Sequence, residues 1–395
     1  CPQHMAGPCP CPRPPCIPLS PQCWQTRFGC DCPGSSRENY AGPMPFWCIM
    51  TGPQWLVDSS PTNHDSPFTA ESSLTTESTM KVLLTAQWVM RFVDGFREDF
   101  PQVEFVFADT AAEIAAKAAD AEAAFGPMNS SQLQAAPNLR WIQSPSAGVE
   151  WMRNAPELAA RDITVCNTRG AHAATIAEHT MGMLVFLTRQ FGPLYKAQQR
   201  HEWGVPEGAR LVGLVGLKMG IIGLGNIGRE IAKRAAAFEM DVIAVDVNPM
   251  EKPDHVSDLQ LMDGMPALLR ESDVVVVTVP ITAETRGMIG PDELALLQPE
   301  AFFIVISRGG IIDEPTLIRM LEEDKLAGAA LDVAATEPLP ADDPLWDAPN
   351  LLITPHSSPS SIQTSSNVVR IVSSNLRRFL NGEPLQNTVG IERGY

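Results

Sequence analysis

From Met80 onward the chain alternates short apolar runs with amphipathic stretches. KVLLTA, EFVFA, DAEAAFG, RWIQSP and DITVC follow one another, with helix-like segments such as TAAEIAAKAA between them. Apolar runs of this length, alternating with helical periodicity, predict a parallel sheet with crossover helices. After Cys166 comes AHAATIAEHTMGMLVFLTRQ, apolar nearly all round and long enough for a buried helix connecting two domains. A second alternation begins at Lys218. Strands are predicted at MGIIG, DVIAVD, DVVVVTV, AFFIVIS, AGAALDV and NLLIT, and helices at NIGREIAKRAAAFE and EPTLIRMLEED. This second unit reads as doubly wound. The last stretch, SIQTSSNVVRIVSSNLRRFLNG, predicts one long helix that returns to the first unit. The expected organisation is an α/β protein in which residues 80–177 and 360–395 form one discontinuous domain around a second, 178–359. At 395 residues the chain is long enough for each to bury its own core.

Residues 1–79 break the pattern. They hold 14 prolines and eight of the nine cysteines, with no helical or alternating periodicity. Such a composition cannot bury enough apolar surface to fold alone, so a disordered or non-native leader is expected. Its cysteines, spaced CPCPRPPC and CDC, do not repeat as paired C-x-x-C units, and no metal site is expected. The segment also lacks the basic start and apolar stretch of a secretory signal. Cys166 alone remains in the body, which fits a reducing, cytoplasmic setting better than a disulfide framework.

Charge narrows the partners. The net charge is −17, and no basic block exceeds a dipeptide such as Arg377-Arg378, so nucleic acid is repelled. No run of 18 uncharged apolar residues exists to span a membrane. A small anionic substrate would need a local cation to overcome the overall repulsion.

The strand MGII runs directly into GLGNIG and then a predicted helix. Gly223 permits the tight turn, Gly225 lets the backbone approach a pyrophosphate, and Gly228 lets helix and strand pack closely. The helix start, with Asn226 and Ile227, faces the phosphates. The next predicted strand ends in Asp246, eighteen residues beyond Gly228, where a carboxylate accepts from ribose hydroxyls and repels a 2′-phosphate. Val247 and Asn248 supply no compensating cation. These residues predict a Rossmann-type domain that binds NAD rather than NADP.

Three polar residues lie just beyond predicted strands of this unit: Arg308 after AFFIVIS, Glu337 in DVAATEPLP, and His356 after NLLITP. Ligand crevices in open α/β sheets lie at such strand ends. A guanidinium there can pair with a substrate carboxylate, and an imidazole can exchange a proton with a carbonyl oxygen. Each residue alone would also suit a surface turn or a structural role.

The three in this order, together with GLGNIG and Asp246, SRGGIIDE, AALDVAATEPLP, DPLW, LLITPH, SPSAGVE and TRGAHAATIAEH, resemble the D-isomer-specific 2-hydroxyacid dehydrogenase family. The resemblance covers nearly everything from Met80 to the C-terminus. It implies a flavodoxin-like substrate domain beside the NAD domain, and hydride transfer between a small 2-keto acid and a D-2-hydroxy acid. It implies that Arg308 binds and polarises the keto acid, that His356 donates and accepts the proton, and that Glu337 keeps His356 protonated. Ala147 and Gly148 would offer N–H groups to the substrate carboxylate. Pro280 would belong to the cofactor contacts, and Asp332 would face the nicotinamide carboxamide. A homodimer is implied too, with MGMLVFL and the arm FGPLYKAQQRHEWGV at its interface. One departure stands out: after His356 the family usually has an apolar residue and one or two glycines, whereas this chain has Ser357-Ser358-Pro359, so substrate preference is open. The alternative reading is a cofactor-sensing corepressor of the same fold. Formate dehydrogenases also resemble the chain but carry glutamine where Glu337 stands.

Overall fold

The computed structural model describes residues 79–390 except 86, 109 and 206. The leader expected over 1–79 therefore lies, up to residue 78, outside the described residues.

Two parallel sheets organise the chain, as the pattern predicts. The first contains β1 (Met80–Leu84), β2 (Val103–Phe107), β3 (Ala123–Phe125), β4 (Trp141–Gln143) and β5 (Thr164–Cys166), in the order β2-β1-β3-β4-β5. This is the flavodoxin-like order. Along these strands successive side chains enter opposite cores, because strand side chains alternate in direction. Leu83, Ala124, Ile142 and Val165 face one core with Ile114, Leu133 and Leu158. Val82, Leu84, Phe125, Trp141 and Cys166 face the other, with Phe96 and Phe100.

The second sheet contains β6 (Lys218–Ile222), β7 (Asp241–Asp246), β8 (Asp258–Leu261), β9 (Val274–Val277), β10 (Phe302–Val305), β11 (Gly328–Leu331) and β12 (Leu351–Ile353). Its order is β12-β11-β10-β9-β6-β7-β8, and every neighbouring pair is parallel. The chain builds outward from β6 to β8, returns to β9 on the other side of β6, and builds outward again. This reversal opens a crevice beyond the C-terminal ends of β6 and β9. Both faces of the central strands are covered, so they read as apolar runs such as Val274–Val277. Ile222, Val245, Val275, Val277, Phe303 and Val305 line one core. Ile221, Val242, Val276 and Ile304 line the other, against the helices Ala173–Thr188 and Asn226–Ala237. Each large side chain buried this way contributes about 1.5–3 kcal/mol by leaving water.

The helix Ala173–Thr188 follows the first sheet and packs on the second, and the helix Ile362–Leu380 returns. Ser361 caps the returning helix by accepting from the Thr364 N–H at 2.9 Å. Val368, Val372 and Leu376 join the core of the first sheet, and buried Asn375 donates to Gln143 Oε1 at 2.9 Å. The tail continues along β5, where the Val389 N–H donates to the Val165 carbonyl. No helix among the described residues is long and apolar enough to cross a membrane.

Candidate active site

At the end of β6 the chain turns through Gly223 at φ +98°, a left-handed conformation that glycine adopts without strain. A β-carbon at Gly228 would overlap the Gly223 carbonyl, so glycine is what lets the helix Asn226–Ala237 start this close to the strand. That helix begins at Gly225 without a side-chain cap, and the space beside Gly225 is open. Its first N–H groups are free to meet an anion. Asp246, at the end of β7, is 8% exposed. It accepts from the Leu224 N–H at 2.7 Å and the Asn248 N–H at 2.9 Å, tying the glycine loop to the end of the next strand. A carboxylate has about four acceptor positions, so two such bonds leave capacity for ribose hydroxyls. Pro280 follows β9 at the same crevice. The turn, the uncapped helix and the carboxylate fit a dinucleotide.

His356 sits three residues beyond β12, in a turn where its own φ is +50°. Such a backbone is uncommon for a residue with a side chain and has to be held from outside. Asp332, fully buried at the end of β11, holds it. The Asp332 carbonyl accepts the His356 N–H at 2.7 Å. Its carboxylate accepts the Ser357 N–H at 2.9 Å, the Ser358 N–H at 3.0 Å and the Thr354 hydroxyl at 2.5 Å. His179, from the connecting helix, contacts the Thr354 hydroxyl at 3.1 Å. The unusual Ser357-Ser358 pair thus serves through its backbone. Asp332, expected to face a carboxamide, lies beneath the His356 turn, and a contact with a carboxamide is a proposal.

Glu337 and His356 come together. Glu337 Oε2 lies 2.8 Å from His356 Nδ1, and Glu337 Oε1 accepts the Ala334 N–H at 3.1 Å. With a carboxylate at Nδ1, that nitrogen carries the hydrogen and Nε2 faces outward. Beside them, Gly309 allows the Arg308 turn to touch the Glu337 loop, since a β-carbon there would overlap the Ala334 carbonyl. Glu314 approaches from below and accepts the Ala335 N–H at 2.7 Å. Burial pushes its carboxyl above the usual carboxylate range over the opposing Ala335 bond, with Asp343, Asp313 and Glu337 adding to the rise.

Arg308 reaches the first sheet. Its Nε donates to Glu150 Oε1 at 2.9 Å, and its Nη1 donates to the Ser307 carbonyl at 2.7 Å. Gly148 lies directly under the guanidinium, at the loop that follows β4. Among the described residues no acceptor takes the Ala147 or Gly148 N–H. Arg308 is thus brought against Gly148, the residue after Ala147 in the SPSAGVE loop. Sequence reasoning missed Glu150, His179 and Thr354. Glu150 stands 158 residues from its partner, His179 lies inside an apolar helix, and Thr354 precedes a motif that drew attention only to its histidine. No group of His, Cys, Asp and Glu suited to a metal occurs among the described residues.

Residues 181–358 match the family model for the D-isomer specific 2-hydroxyacid dehydrogenase NAD binding domain. The chain is 33% identical over 270 residues to a glycerate dehydrogenase of Methylorubrum extorquens, covering 67% of this chain and 82% of that one. A D-3-phosphoglycerate dehydrogenase of Methanocaldococcus jannaschii is 34% identical over 233 residues, 58% of this chain, but the match spans only 44% of that longer protein. Among solved structures, a D-isomer specific 2-hydroxyacid dehydrogenase of Xanthobacter autotrophicus in complex with NADPH and MES superposes with a TM-score of 0.69 at 26% identity. That match covers 81% of this chain and all of that one.

Proposed function

Since the chain belongs to the D-isomer specific 2-hydroxyacid dehydrogenase family, we propose that it interconverts a small 2-keto acid and the matching D-2-hydroxy acid. The 2.8 Å contact between Glu337 and His356 carries the reading. The glycine loop Gly223–Gly228 and Asp246 would hold a nicotinamide cofactor, which would supply or take up the hydride at the carbonyl carbon. Reduction leaves negative charge on the former carbonyl oxygen, and the His356 Nε2–H, when the ring is charged, faces the site to protonate it. Glu337 accepts the Nδ1 hydrogen bond and fixes the ring's orientation, leaving Nε2 toward the substrate. Arg308 Nη2 and the free N–H groups of Ala147 and Gly148 hold the substrate carboxylate, so the keto group is presented to His356 rather than to water.

Asp246 favours NAD, because its carboxylate would oppose a 2′-phosphate. A second copy of the chain is the proposed partner. Exposed apolar side chains occur at Phe191, Tyr195, Trp203 and Val205, within the expected wrapping arm, and at Leu211 and Val215 just beyond it.

The test is oxidation of NADH by purified protein with glyoxylate, hydroxypyruvate and pyruvate. Turnover of at least one, forming the D-hydroxy acid, is the expected result. Cofactor binding without turnover of any 2-keto acid would instead make the chain a cofactor-sensing binding protein.

A further inference from the structure

Arg308 does not meet a substrate with its full charge. Glu150, the first residue of the short helix Glu150–Asn154 in the first sheet's lobe, takes the Nε hydrogen at 2.9 Å. The Ser307 carbonyl takes Nη1 at 2.7 Å. Nη2 is left as the nitrogen with no acceptor among the described residues, and it lies against Gly148. A β-carbon on Gly148 would overlap both Arg308 Nη2 and Glu150 Oε2. The second carboxylate oxygen of Glu150 therefore lies beside Nη2 against Gly148. The guanidinium, which could grip a carboxylate with two parallel bonds, is restricted to a narrower contact beside a fixed anion.

Glu150 is ionised at neutral pH. Burial opposes its charge, but the Arg308 guanidinium, its backbone hydrogen bond and Arg153 outweigh burial and hold the carboxyl below its usual range. The nearby Arg153 does not restore a free cation to this space, because it reaches the other way and donates to the Ile281 carbonyl at 3.3 Å. The local balance at the carboxylate site is one cation offset by one anion.

We infer that Glu150 determines substrate charge: it tunes the site to 2-keto acids carrying a single negative charge and discriminates against those with a second anionic group. The inference rests on the dehydrogenase reading above and names its substrate class. A monoanion replaces the interactions that Arg308 Nη2 and the two N–H groups lack. A second carboxylate or phosphate on the same small molecule finds Glu150 within a few ångströms and no unshared cation to answer it. Discrimination by an opposed charge is a common source of specificity, separate from the attraction that binds the right substrate.

The experiment compares oxaloacetate with 2-ketovalerate, which are similar in length and differ by one carboxylate. The ratio of their kcat/KM values is measured with NADH in wild type, Glu150→Gln, Glu150→Ala and Glu150→Asp. Misplacement of Arg308 would weaken both substrates and largely cancel in the ratio. Wild type should favour 2-ketovalerate. Glu150→Gln and Glu150→Ala should shift the ratio toward oxaloacetate by about tenfold or more, the size expected for one like charge at a partly exposed site. Glu150→Asp should keep the wild-type ratio. An unchanged ratio in both neutral variants, or a wild type that favours oxaloacetate, overturns the inference. Wild type that turns over 2-ketovalerate in those cases leaves the dehydrogenase reading standing, whereas wild type inert toward every 2-keto acid overturns both.

Discussion

Asp332 holds His356 by two routes: its carbonyl accepts the His356 N–H at 2.7 Å, and its carboxylate accepts the N–H groups of the next two residues. The consequence is a histidine whose left-handed backbone is fixed by a buried charge rather than by its own preference. Asp332→Asn would turn an amide hydrogen toward donors that need an acceptor. Stability should fall by about 3 kcal/mol, the scale of losing hydrogen bonds to a buried charge, and kcat should fall at least about tenfold as the turn loosens. Thermal melting and steady-state kinetics on the variant check this. Unchanged stability with only a raised KM for NADH would instead make Asp332 a cofactor contact.

Much of this arrangement was legible before the fold. The strands of both sheets announce themselves because parallel strands buried on both faces are apolar throughout, as in Val274–Val277 and Phe302–Val305. β8, Asp258–Leu261, did not, because it is an edge strand with polar, exposed positions. GLGNIG and Asp246 were readable because turn, strand and helix follow at fixed spacing. What the sequence did not disclose was geometry between distant segments. Glu150 meets Arg308 across the two sheets, and Ser357-Ser358 looks like a lost glycine motif until its N–H groups are seen on Asp332.

Cofactor preference should respond to Asp246. Asp246→Ser removes the charge and keeps a small acceptor near the Leu224 N–H, which Asp246 now binds at 2.7 Å. The ratio of kcat/KM for NADH over NADPH should drop by about tenfold or more as repulsion of the 2′-phosphate is relieved. Wild type that already prefers NADPH would contradict the assignment.

Glu314 gives a pH-dependent stability. Its folded carboxyl is raised above the usual range by burial first, with acidic neighbours adding to the effect. The unfolded chain ionises this group at lower pH. Its contribution is therefore fully present at low pH and is lost as pH rises through the folded value. Glu314→Gln keeps an acceptor for the Ala335 N–H without the charge. Its melting temperature should exceed that of wild type at pH 7.5, and the gap should close as pH falls toward about 4, where ordinary carboxylates take up protons. A gap independent of pH would show that packing, not charge, sets the difference.

The exposed apolar segment predicts a dimer in solution. Trp203 is fully exposed and Tyr195 is 61% exposed, an arrangement that a second copy would bury. Light scattering should give twice the chain mass at micromolar concentration, and the double substitution Tyr195→Ser, Trp203→Ser should shift the protein toward the monomer. A wild-type monomer would exclude this surface as a self-interface.

A double-mutant cycle on kcat/KM for keto-acid reduction tests most directly whether Glu337 acts through His356. Asparagine tolerates the φ of +50° at position 356, so His356→Asn removes the proton carrier with little backbone strain. That variant should lose about 10²–10⁴-fold, the usual contribution of a positioned acid-base group. Glu337→Gln alone should lose about tenfold or more, because the amide no longer offers both acceptor oxygens, which hold His356 Nδ1 at 2.8 Å and the Ala334 N–H at 3.1 Å, and so no longer fixes the ring. The double variant should be no slower than His356→Asn, since a residue that works only through its partner has nothing left to support. Losses that multiply, or near-native activity in His356→Asn, would contradict the pairing.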